Sequence, residues 1–178
     1  MYQLIKQIVK TGIKTEPAPQ PDEAMRAESQ RLQQEILGVF GHALSIRQVD
    51  AGSCNGCELE IHALNNAYYN IEGSGVKFVA SPRHADLLLV TGPVSRHMAV
   101  ALKRTYDATP EPKLVVAIGD CGCDGGIFSS DGAGCAGESY ASCGRVASII
   151  PVDVVVSGCP PTPTAILQGI LTAVSAQK

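Results

Sequence analysis

The sequence predicts an α/β protein, a parallel sheet with flanking helices, preceded by an N-terminal helical extension. Three observations carry that prediction. Short runs of Val, Ile and Leu alternate with longer stretches whose apolar residues recur at helical spacing. Two of the runs, DLLLVTG (86–92) and KLVVAIGD (113–120), are continuously apolar, as strands buried on both faces are. The chain has 178 residues, 45% of them hydrophobic and 17% charged, enough to bury one domain's core with an appendage to spare. Strands alternating with helices in this way read as a flavodoxin-like parallel sheet.

The elements follow in order. Residues 1–14 place Leu4, Ile5, Ile8, Val9 and Ile13 at helical spacing, with Lys6, Lys10 and Lys14 on the remaining face. This is a short amphipathic helix able to dock on a partner, touch an anionic membrane surface, or simply end the chain. Residues 15–22, with three prolines, read as a linker. A second helix follows over 22–41, with Asp22 as its cap, Glu23 in its first turn and Gly38 or Gly41 at its end. Residues 1–42 are thus an extension, and 43–178 the α/β domain. Within the domain, strands are expected at 44–52, 76–81, 86–92, 113–120 and 152–158. Helices are expected from Cys57 to Tyr69, Pro93 to Tyr106 and Thr162 to Ala176. Residues 121–144, rich in Gly, Ser and Cys, show no period. No internal repeat is present.

Composition excludes several functions. Net charge is −3 and Lys and Arg form no long runs, against a nucleic-acid binder. Aromatics are 4% and Trp is absent, so base-stacking platforms are not expected. No apolar stretch approaches the ~20 residues of a spanning helix. No secretory signal stands at the start, so a cytoplasmic, reducing setting is expected, where persistent disulfides are rare. Seven cysteines, at 54, 57, 121, 123, 135, 143 and 159, therefore point to metal or redox chemistry.

Cys54, Cys121 and Cys159 each follow a predicted strand, and Cys57 completes a Cys-x-x-Cys pair with Cys54. Ligands of open α/β sheets bind outside the carboxyl ends of the strands, so these four should meet at one edge. Four thiolates can hold either zinc or an iron–sulfur cluster. One close pair with two distant single cysteines suits a cofactor placed by the fold better than a structural zinc site.

The residues then carry a resemblance. They are Cys-Asn-Gly-Cys-Glu-Leu-Glu (54–60), Ser-Pro-Arg-His-Ala-Asp (81–86), Thr-Gly-Pro-Val (91–94), Gly-Asp-Cys (119–121) with Gly-Gly-Ile-Phe (125–128), and Gly-Cys-Pro-Pro-Thr-Pro (158–163). Over about residues 45–175 the chain resembles the small subunits of membrane-bound, energy-converting nickel–iron hydrogenases of the formate hydrogenlyase type. More loosely it is similar to the 20 kDa subunit of NADH:quinone oxidoreductase, whose first motif has adjacent cysteines where this chain has Cys-x-x-Cys. The resemblance implies one proximal 4Fe–4S cluster on Cys54, Cys57, Cys121 and Cys159. Its implied job is electron relay to or from a catalytic site in another chain, in hydrogen evolution or uptake. The implied partners are a nickel–iron large subunit or its nickel-free homologue, a ferredoxin-like iron–sulfur subunit and membrane subunits. Such a chain would sit peripherally on the inner face of the cell membrane through those partners. A nickel-free, quinone- or ferredoxin-linked complex is the second reading, and a zinc-stabilised, non-redox interaction module the third.

The family pattern leaves Cys123, Cys135 and Cys143 without counterparts. Cys121 is preferred over Cys123 as ligand because it follows the strand directly and holds the family position. Glu58 and Glu60 open the helix after the first motif, where acidic residues commonly face the helix dipole. Near a redox centre they are also candidate proton-relay carboxylates, and Glu60 matches one in both family branches. Arg83 and His84 precede a strand and are candidates for cluster tuning or proton coupling, against a bland reading as turn polarity. His42, His62 and His97 have no metal-ligand spacing.

Overall fold

The computed structural model describes residues 2–12, 17, 19–128 and 140–177. It bears out the expected fold class. Five parallel strands form one sheet: β1 (Leu44–Asp50), β2 (Val76–Phe78), β3 (Leu87–Thr91), β4 (Leu114–Ile118) and β5 (Val154–Val156). Their spatial order is β2-β1-β3-β4-β5. That is the flavodoxin-like order, with its topological switch between β1 and β3. The register sets Asp50 beside Thr91 and Thr91 beside Ile118, so β1, β3 and β4 end level with one another.

Six α-helices are described: α1 (Tyr2–Thr11), α2 (Glu23–Phe40), α3 (Gly56–Ala63), α4 (Arg96–Ala108), α5 (Gly119–Cys123) and α6 (Pro163–Ser175). Period-two alternation splits the core between the two sheet faces. On one face Leu44, Ile46, Leu87, Leu89, Val116 and Ile118 pack with α2, α3 and α6. On the other, Val49, Leu88, Val90, Val115 and Ala117 pack with Leu102 of α4 and with Val146 and Ile150. β3 and β4 are wholly buried, as their unbroken apolar runs require. Two carboxylates fix strand entrances. Asp86 accepts the Ser45 N–H at 2.8 Å and Asp153 accepts the Val115 N–H at 2.7 Å.

Capping follows the sequence. Asp22 accepts the Met25 N–H at 2.8 Å, and Gly41 closes α2 in the left-handed region. Thr162 caps α6 at the Ala165 N–H, with Pro163 in its first turn. Met25, Leu32 and Ile36 of α2 are buried in the same core as α6 and the sheet. α1, by contrast, buries no residue.

Three differences from the expected elements have local causes. α3 stops at Ala63, not Tyr69, because the Asn66 side chain accepts the Tyr68 and Tyr69 N–H groups and turns the chain. β5 is three residues long at the sheet edge, with Val155 exposed. Residues 119–123 span the expected end of a strand and the start of the aperiodic stretch, yet form the short helix α5.

Candidate metal centre at the carboxyl edge of the sheet

β1 runs out into the turn 51–55, which delivers Cys54, and α3 begins directly after, which places Cys57 in its first turn. Asn55 takes the left-handed conformation at φ 75°, and its N–H donates to Ser53 Oγ at 2.9 Å. Glu58 holds this turn to the sheet. Its carboxylate is buried and accepts hydrogen bonds from the hydroxyls of Ser53 and of Thr91 at the end of β3. The buried charge thus has both oxygens engaged.

β4 and β5 are locked together just beyond their ends. The Asp120 N–H donates to the Gly158 carbonyl at 2.9 Å, and the Gly158 N–H donates to Asp120 Oδ1 at 2.7 Å. This reciprocal pair sets Cys121 and Cys159, each one residue further on, at the same edge. Pro160, joined to Cys159 by a cis peptide bond, lies beside Gly56, so the turn after β5 abuts the start of α3.

Two glycines form a cradle. A Cβ on Gly119 would lie 2.5 Å from Cys57 Sγ, and one on Gly126 would lie 2.9 Å from Cys121 Sγ. Both have positive φ, so a side chain there would be strained as well as crowded.

The electrostatics join the four cysteines. Burial pushes the Cys57 thiol up to about 12, and the charges of Glu58, Cys54, Cys121 and Cys159 add to the rise. Burial also raises the Cys121 thiol, with Cys159 and Cys54 next in importance. Four soft donors that oppose each other's ionisation have a strong demand for a cationic centre, which would displace their protons. Cys54 and Cys159 are exposed, and Cys57 and Cys121 half-buried, so the group opens to the surface. Among the described residues, no three His, Cys, Asp or Glu side chains converge closely enough to hold one metal ion.

Cys123 points elsewhere. Its thiol donates to the Ala117 carbonyl at 3.8 Å. Burial raises it, opposed by hydrogen bonds with the Val156 backbone and the Ser157 side chain. Cys143 packs against the α4-side core and its N–H donates to the Val94 carbonyl at 2.7 Å. Cys135 lies outside the described residues.

Of the other candidates, Glu60 is half-buried on α3. Arg83 and His84 are exposed on the turn Pro82–His84, which enters β3 at its amino end, whereas the thiols stand at the carboxyl ends. The structure does not bring these two residues to the cysteines. Sequence reasoning missed the Ser53 and Thr91 hydroxyls that hold Glu58. A polar residue closing the apolar run 87–91 was the available signal.

The family model for the 20 kd subunit of NADH ubiquinone oxidoreductase matches residues 54–173. The chain belongs to this family. The match begins at Cys54 and takes in all four clustered cysteines. Among its relatives is the probable membrane-bound hydrogenase subunit mbhJ of Pyrococcus furiosus, 44% identical over 83% of this chain and 85% of that one. Formate hydrogenlyase subunit 7 of Escherichia coli is 43% identical over 78% of this chain, which spans 51% of that longer protein. An NADH-quinone oxidoreductase subunit of Desulfovibrio desulfuricans is 41% identical over 74% of this chain and 67% of its own length. A solved structure agrees: a chain of the membrane-bound sulfane sulfur reductase, an archaeal respiratory membrane complex, matches with a TM-score of 0.61 at 33% identity. It covers 75% of this chain and 71% of that chain. By family, the protein is thus part of an oxidoreductase complex. Among the described residues, no helix is long and apolar enough to cross a membrane.

Proposed function

We propose that this chain is the electron-transfer subunit of a hydrogenase-type complex. In this reading it holds one 4Fe–4S cluster on Cys54, Cys57, Cys121 and Cys159. The observation that supports the reading is that Cys54, Cys121 and Cys159, from the ends of β1, β4 and β5, each act by charge on the Cys57 thiol, with Gly119 and Gly126 against two of the sulfurs. A bound cluster would supply a one-electron couple at the surface of the subunit. The residues' own work is positional. Asp120 fixes the mutual placement of the Cys121 and Cys159 turns, and Glu58 fixes the Cys-x-x-Cys turn against β3. The glycines leave room beside two of the sulfurs. Backbone groups of the turns can orient around the cluster without side chains intervening.

The bond-making site is assigned to a partner large subunit, of the nickel–iron type, with further iron–sulfur and membrane subunits in the same assembly. Residues 43–178 would form the cluster-binding domain and 1–42 its extension, on the inner face of the cell membrane. The names of the hydrogenase relatives and the Cys-x-x-Cys spacing favour this reading. A nickel-free, quinone-linked complex is the second reading, favoured by the family model and by the NADH-quinone oxidoreductase relative. One close cysteine pair with two distant single cysteines weighs against a zinc module. Arg83 and His84 are given no part, being at the other edge of the sheet.

The test is anaerobic purification of the chain, alone and with its complex, with iron and acid-labile sulfide assays of the chain alone and EPR of the reduced protein. Four irons and a reduced-cluster signal from this subunit are expected. Alanine at any of the four cysteines should remove that signal, while Cys123→Ala keeps it. Stoichiometric zinc without iron would overturn the redox readings. Nickel and hydrogen evolution in the co-purified complex separate the first reading from the second.

A further inference from the structure

We propose that α1 (Tyr2–Thr11) is an interfacial helix that lies on an anionic lipid surface, giving this subunit a membrane contact of its own. The inference does not rest on the cluster. It rests on a helix with two distinct faces and no buried residue. At 100° per residue, Leu4, Ile8, Ile5 and Val9 fall in sequence around one half of the helix. Each is more than half exposed, between 55% and 78%. Gln3, Lys6, Gln7 and Lys10 occupy the opposite half. Among the described residues nothing buries the apolar half, although α2 buries three residues in the core.

Charge selects the occupant. The helix carries Lys6 and Lys10 and no acidic residue, and Lys14 follows in the sequence. The whole chain is net −3, so outside residues 1–14 it is more acidic still. An anionic bilayer would repel that body and attract this one segment. A cationic polar face opposite an aliphatic one is the pattern of helices that lie in the headgroup plane. Protein interfaces, by contrast, are depleted in lysine. The helix has only 10 residues, so its affinity alone is modest, and it acts together with the partner subunits that hold the complex at the membrane.

The experiment is flotation of the full-length chain with phosphatidylcholine vesicles, pure or mixed with phosphatidylglycerol, at low and high salt. Binding is expected to the mixed vesicles, weakened by salt as headgroup attraction is screened. Lys6→Glu with Lys10→Glu should reduce binding on the order of tenfold or more. Ile5→Asp with Ile8→Asp should abolish it. Lys103→Glu with Arg104→Glu, which changes two exposed residues of α4 by the same charge, should leave it unchanged. Circular dichroism and iron content, measured on every variant, separate a failure of α1 from a failure of the fold or of the cluster reading. Absence of binding to the mixed vesicles overturns the proposal. So does equal binding to both vesicle types, or α1 variants that release a partner subunit without changing vesicle binding.

Discussion

Thr91 illustrates how single atoms organise the centre. It is fully buried at the carboxyl end of β3, and its hydroxyl donates to Glu58, which neighbours Cys57 in sequence. Replacing it with valine keeps shape but leaves one oxygen of a buried carboxylate without its donor. Such a loss costs about 1–3 kcal/mol. Thr91→Val should therefore lower the melting temperature, and it should speed cluster loss under a chelator because the Cys-x-x-Cys turn is no longer pinned. Thr91→Ser retains the donor and should behave nearly as the parent. Gly119→Ala acts on space instead of hydrogen bonding. The added Cβ would stand 2.5 Å from Cys57 Sγ at a φ of +80°. The expected result is a folded chain that retains less iron than the parent, seen by metal analysis beside circular dichroism. Cys123→Ala is the contrast. Its thiol serves the Ala117 carbonyl, so iron content should stay unchanged. The strand end and the family position favour Cys121 over Cys123 as ligand. What no spacing could supply is that α5 turns the two cysteines apart.

At the scale of elements, legibility follows periodicity. β3 and β4 are plain because strands buried on both sides leave an unbroken apolar run. α2 and α6 are plain because Asp22 and Thr162 cap them and a C-terminal glycine or an early proline marks a boundary. The end of α3 is not, since Asn65 and Asn66 interrupt a pattern that Tyr68 and Tyr69 otherwise extend. The side-chain acceptor that stops the helix acts through geometry rather than period. α2 adds an energetic expectation. Ile36 is buried to 1% in the core shared with α6 and the sheet. Ile36→Ala should cost about 2–5 kcal/mol. Urea unfolding monitored by far-UV circular dichroism would measure it, and a near-zero effect would mean that α2 folds independently of the domain.

The whole molecule presents its thiols beside uncovered apolar side chains. Ile127 and Phe128 follow Gly126, the residue against Cys121 Sγ, and are 78% and 41% exposed. Leu59, in α3 two residues after Cys57, is 60% exposed. No single one is unusual, but together they rim the edge at which the β1, β4 and β5 ends meet. A cluster placed there must exchange electrons with a neighbour over a short distance, and covering this rim would exclude water from it. In the proposed complex, the rim is accordingly the expected seat of the catalytic subunit. Ile127→Asp should lower co-purification of that subunit severalfold while the isolated chain keeps its melting temperature and iron, because the residue supports nothing internal. Val155→Asp is the matched control, since Val155 is 56% exposed on the edge strand β5. If both substitutions reduce co-purification equally, the partner is not seated on the cysteine edge. If neither does, the contact must be made by another face of the domain, and the route for electrons would have to be drawn again from there.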